Sequence, residues 1–109
     1  MRKIAIFALA LGSLFATQAA AADTAQVSAT KNVGIVDFAF KPGALTVAKG
    51  TTVKFTNRGS TAHTATRNGG GFDKRLAPGK SFSVRFQQRG RFPYHCRIHP
   101  FMKGRIVVQ

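Results

Sequence analysis

Two stretches of this sequence alternate so regularly that they leave almost no choice of secondary structure. From Thr52 to Thr56, Val53 and Phe55 fall on one face and Thr52, Lys54 and Thr56 on the other. From Ser81 to Gln87, Phe82, Val84 and Phe86 stand opposite Ser83, Arg85 and Gln87. A period of two places successive side chains on opposite faces of a strand, one in a core and one in water. Val33 to Phe40 is β-branched and aromatic and stops at the turn signal Lys41-Pro42-Gly43. Leu45 to Val47, Ala62 to Thr66, Phe92 to Cys96 and Gly104 to Val108 are further strand candidates, set apart by Gly- and Pro-containing turns. Such punctuation leaves no room for a long helix. The expectation is an all-β fold, an antiparallel two-sheet sandwich of seven or eight strands.

The first 22 residues read differently. Met1-Arg2-Lys3 is positive, Ile4 to Phe15 is mostly apolar, and small residues follow from Ala16 to Ala22. That order is the mark of a secretory signal peptide, and the apolar run falls short of the about 20 residues a membrane helix needs. The reading is a cleaved presequence over residues 1–22 and a single domain over 23–109, periplasmic and without a membrane anchor. Phe38, Phe40, Phe55, Phe72, Phe82, Phe86, Phe92 and Phe101 give so small a unit the apolar volume for a core. Lys and Arg number 17 against three acidic residues, Asp23, Asp37 and Asp73, a formal net charge of +14. Opposite fields steer encounter, so the balance points to acidic partners. Export sets nucleic acid aside.

Chemistry concentrates near the C-terminus. In Cys96-Arg97-Ile98-His99-Pro100-Phe101-Met102 a thiolate, an imidazole and a thioether follow one another as C-x2-H-x2-M. Cys96 is the only cysteine, and Met102 the only methionine besides Met1. A lone thiol in an oxidising compartment is buried, paired between chains or bound to a metal. Taken singly, each residue has an ordinary explanation: a buried structural thiol, a core methionine, a surface histidine. Taken together, a thiolate, imidazoles and a weak thioether suit copper, whereas zinc rarely takes a thioether. The second imidazole would come from His63, the one of the three histidines remote from this loop.

The segment Tyr94-His95-Cys96-Arg97-Ile98-His99-Pro100-Phe101-Met102-Lys103-Gly104, with Arg105-Ile106-Val107-Val108 after it, resembles the ligand segment of the amicyanins. Upstream, Phe40-Lys41-Pro42, Leu45-Thr46-Val47, Gly50 to Asn57 and His63 are similar to plastocyanin- and amicyanin-type cupredoxins. The likeness runs from Val33 to Val108. It implies a cupredoxin-like Greek-key β-sandwich holding one copper ion, Cu(I) or Cu(II), on His63, Cys96 and His99, with Met102 as a distant axial ligand. It implies electron transfer through the edge of His99, ringed by Pro100 and Phe101. Thr64 stands where family members commonly carry Asn; its hydroxyl is expected to tie the two ligand loops together with less reach. His95 should face away from Cys96, because adjacent strand residues point to opposite faces.

The function expected is that of a type 1 copper protein, a one-electron carrier and not an enzyme. Its partners would be acidic redox proteins, a c-type cytochrome or a periplasmic dehydrogenase, met as a monomer. Copper sequestration or delivery would use the same ligands. Proteins that handle metals tend to expose several Met or His, and this chain does not. Arg85, Arg89, Arg91, Arg97, Lys103 and Arg105 cluster late in the sequence, which suggests a basic docking surface near the metal loop or a merely solvated one.

Overall fold

The computed structural model describes residues 29–109; the presequence reading lies outside them. Nine strands follow in order: β1 (Thr30–Val36), β2 (Ala39–Lys41), β3 (Ala44–Val47), β4 (Thr51–Asn57), β5 (His63–Arg67), β6 (Asp73–Leu76), β7 (Ser81–Phe86), β8 (Gly90–His95) and β9 (Lys103–Val108). No helix occurs among the described residues. They form two sheets, ordered β2-β1-β4-β7 and β3-β9-β8-β5-β6.

The all-β sandwich is as expected, but with nine strands in place of seven or eight. The apolar run Val33 to Phe40 is two strands, because the chain reverses at Asp37-Phe38 and β2 folds back antiparallel on β1, Ile35 opposite Phe40. The short, charged β6 pairs with β5 as an edge strand. Nor is the sandwich wholly antiparallel: β1 runs parallel to β4 and β3 parallel to β9. Both parallel pairs join strands whose connection passes through the other sheet, so neither follows from local turn signals.

Alternation sets the two inner faces. Val53 and Phe55 of β4 are fully buried, as are Val33 and Ile35 on β1. From the other sheet come Phe92, Tyr94, Ile106 and Val108. At the centre, Tyr94 meets Phe40 and Phe55 edge-on, with ring centroids 4.7 and 5.2 Å away. Burial of a ring of this size stabilises the fold by about 1.5–3 kcal/mol. Tyr94 reaches into space left by Gly104, the residue opposite it on β9, where a Cβ atom would overlap the phenol ring. This packing fixes the register of β8 and β9, and with it the ends of the loop over residues 96–102.

Candidate metal centre

Three segments meet at one end of the sandwich. The β4–β5 loop delivers His63 as the first residue of β5. Cys96 follows directly on β8, whose last residue, His95, pairs with Lys103, the first of β9. Residues 96–102 therefore close a short loop whose two ends are held by strand pairing. Inside it, the Cys96 amide donates to the Met102 carbonyl at 3.1 Å and the Met102 amide to the His99 carbonyl at 2.9 Å. The third segment, the Asp37-Phe38 reversal, comes from the first sheet.

The donor atoms converge. Cys96 Sγ lies 3.9 Å from His63 Nδ1 and 3.9 Å from His99 Nδ1. Each of the three residues offers an atom within 4.8 Å of the others. A metal ion about 2.3 Å from a thiolate and about 2.0 Å from imidazole nitrogens holds trigonal neighbours about 3.7 Å apart, so the spacing fits one ion. Cys96 and His63 are completely buried, Met102 nearly so, and His99 is only partly buried. The soft donors thus lie in a dry pocket with one imidazole edge open to solvent.

Burial pushes the Cys96 thiol up, but hydrogen bonds from the Thr64, His99 and Ile98 amides, with His63, outweigh it and bring it down to about 6. The Thr64 amide donates to Sγ at 3.3 Å. Its hydroxyl accepts from the Arg97 amide at 2.7 Å and contacts the Thr66 hydroxyl at 2.9 Å. Thr64 thus ties the His63 strand to the Cys96 loop, which is the role expected of it.

His63 is held from behind. Its Nε2 lies 2.6 Å from Asp37 Oδ1. With a metal ion on Nδ1, Nε2 would carry the ring proton and donate a hydrogen bond to the carboxylate. Asp37 also accepts from the Ser60 amide at 2.8 Å, the Ser60 hydroxyl at 2.6 Å and the Thr61 hydroxyl at 3.1 Å. Hydrogen bonds from Ser60, above all, hold its carboxyl far below the usual carboxylate range. The buried Asn57 shapes the same loop, donating to the carbonyls of Thr61 and Leu76 and accepting from the Gly59 amide.

Around His99 the surface is apolar. Phe38 is 50% exposed and Phe101 68%. The Phe38 ring meets His99 edge-on at 4.9 Å. Of the four ligands expected from the sequence, the structure brings the donor atoms of His63, Cys96 and His99 together, and Met102 lies buried at the end of the same loop. The sequence pattern does not reveal Asp37 and Phe38, which fall inside an apparent strand; the one available signal is a carboxylate, rare in this chain, inside an apolar run. His95 turns away from Cys96, as expected, with Nδ1 2.6 Å from Asn68 Oδ1. The late basic cluster is split in space. Arg91 pairs with Val107 near the start of β8, and Arg85 with Thr52 near the start of β4. Both lie at the strand ends opposite the site, several residues at about 3.3 Å each away. Arg97 lies in the loop itself, bound to Asp73 at 2.9 Å.

Comparison with known proteins agrees with this geometry. A family profile described as a cupredoxin-like domain matches residues 3–108. Amicyanin-alpha of Methylorubrum extorquens is 32% identical over 94% of this chain and 86% of its own length. A reduced amicyanin variant superposes with a TM-score of 0.70 at 28% identity, over 73% of this chain and 82% of that one. The copper-containing nitrite reductase of Thermus scotoductus gives a TM-score of 0.67 at 30% identity, over 73% of this chain but 22% of the reductase. The chain belongs to the cupredoxin-like family. Within it the amicyanins are its relatives, and it is a type 1 copper electron-transfer protein with copper as its cofactor.

Proposed function

We propose that this protein is an exported, periplasmic one-electron carrier whose copper is held by His63, Cys96, His99 and Met102. The observation that carries the reading is the convergence of Cys96 Sγ with the Nδ1 atoms of His63 and His99, within 4.8 Å. The copper ion supplies a Cu(II)/Cu(I) couple tuned by a thiolate and a weak thioether. Everything else is the work of the chain. Buried Thr64 and Cys96 keep the two ligand segments in register, and the closed loop 96–102 limits how far any donor can move. Met102, buried at the end of that loop, would supply the thioether. His99, with its edge at the surface, gives a partner the shortest way in, and Phe38 and Phe101 offer that partner an apolar contact free of water.

The presequence over residues 1–22 accounts for delivery to the periplasm, and the protein works there as a monomer. A strong positive charge favours acidic redox partners, a c-type cytochrome or a periplasmic dehydrogenase. An enzyme would need an open metal position or a second metal; four donors from one closed pocket argue against the first. The grouping of His63, Cys96 and His99 is the one three-residue metal-ligand cluster among the described residues.

The test is the visible spectrum of the purified protein with one equivalent of Cu(II). Intense charge-transfer absorption, bleached by a mild reductant and lost in Cys96→Ala, is expected. A colourless protein that still binds copper would favour storage or delivery over electron transfer.

A further inference from the structure

The contacts of Asp37 go beyond what a turn residue needs. Its carboxylate takes four hydrogen bonds, three from the β4–β5 loop and one from His63 Nε2 at 2.6 Å. Asp37 is the only acidic side chain to contact the cluster residues among the described residues, since Asp73 is engaged by Thr66 and Arg97. In a chain with 17 cationic residues and three acidic ones, a carboxylate at this spot is conspicuous. Completely buried, His63 has one ring nitrogen facing the thiolate and the other facing Asp37, so both its edges are assigned.

From this geometry we infer that Asp37 is a positioning residue of the copper centre: it fixes the His63 ring and, by its negative charge behind the imidazole, favours Cu(II) over Cu(I). The inference rests on the copper-centre reading above. A carboxylate that accepts the second N–H of a metal-bound imidazole makes the imidazole a stronger donor, and losing such a partner typically costs 10–100-fold in metal affinity. A stronger, more anionic donor set stabilises the higher charge state. Its effect is therefore larger on Cu(II) than on Cu(I), and the reduction potential of the native site is lower than the four ligands alone would set.

The test compares the copper-loaded wild-type protein with Asp37→Asn, which keeps shape and removes charge, by spectroelectrochemical titration. The Cu(II)-over-Cu(I) preference should fall about tenfold in Asp37→Asn, a rise in potential of about 59 mV for one electron. Ser60→Ala removes one hydroxyl from the same carboxylate without touching His63 and serves as the control for a purely structural role. It should lower the melting temperature slightly and move the potential less than half as far. A second readout needs no variant: in the diamagnetic Cu(I) form, the His63 Nε2–H proton should be visible by NMR, far downfield and protected from exchange. An Asp37→Asn potential equal to wild type, a Ser60→Ala shift as large as that of Asp37→Asn, or a freely exchanging Nε2–H would each overturn the assignment. Absence of the thiolate–copper band in wild-type protein would overturn the reading of the site itself; a band with an unmoved potential overturns the role of Asp37 alone.

Discussion

At Cys96 two opposing influences meet. Burial disfavours the charged thiolate, while amides of Thr64, His99 and Ile98 point at the sulfur and favour it, and the donors win, at about 6. The site is thus built to hold the anion before any cation arrives. Ultraviolet titration of the metal-free protein should show the thiolate forming near pH 6, well below the ordinary thiol range of about 8.5. Because the folded value lies below the unfolded one, the thiolate contributes stability in full above the unfolded value. That contribution is lost as pH falls through about 6. Denaturant midpoints of the metal-free protein should decline over that window, and the decline should vanish in Cys96→Ala. A thiol that titrates in the ordinary range would mean that the amides do not point at the sulfur as described.

Among the elements, β8 and β9 carry the most consequence, since their pairing holds both ends of the ligand loop. Gly104 is where that pairing is least tolerant, because a Cβ would meet the Tyr94 ring. Gly104→Ala should therefore destabilise by about 1–3 kcal/mol, as overpacking does. In a domain this size the melting temperature should fall by about 4–8 °C per kcal/mol. An unchanged melting temperature would show that Tyr94 can swing aside. These strands, with β4 and β7, were legible in the sequence because alternation and Gly or Pro turns mark them. The C-x2-H-x2-M spacing likewise exposed the loop ligands. What stayed hidden has physical causes. The reversal at Asp37-Phe38 uses neither Gly nor Pro, and its flanks are equally apolar, so pattern alone reads straight through it. The edge strand β6, Asp-Lys-Arg-Leu, has one buried position and hence no period. The parallel pairs depend on contacts far apart in sequence. His63 could be named by elimination, but its partner Asp37, 26 residues earlier, could not.

Over the whole molecule, metal and fold support one another. Only the folded chain brings His63 of one segment to Cys96 and His99 of another, so copper held there would raise the stability of the native state. With free copper at a thousand times its dissociation constant the gain is about 4 kcal/mol. Calorimetry should find the metal-free protein folded, since its aromatic core does not involve the metal, but melting well below the copper form. Equal melting temperatures would contradict a closed four-donor site.

Asp37 belongs to a turn that leaves the ribosome early, and Met102 lies seven residues from the last, Gln109. The centre draws on nearly the full span between them. No chain that lacks the turn at Asp37 or the loop through Met102 can assemble it as it stands here. Acquisition of the ion is then a test of completeness, passed only by a molecule whose first turn and last loop have found each other, and the blue colour would count finished copies rather than synthesised ones.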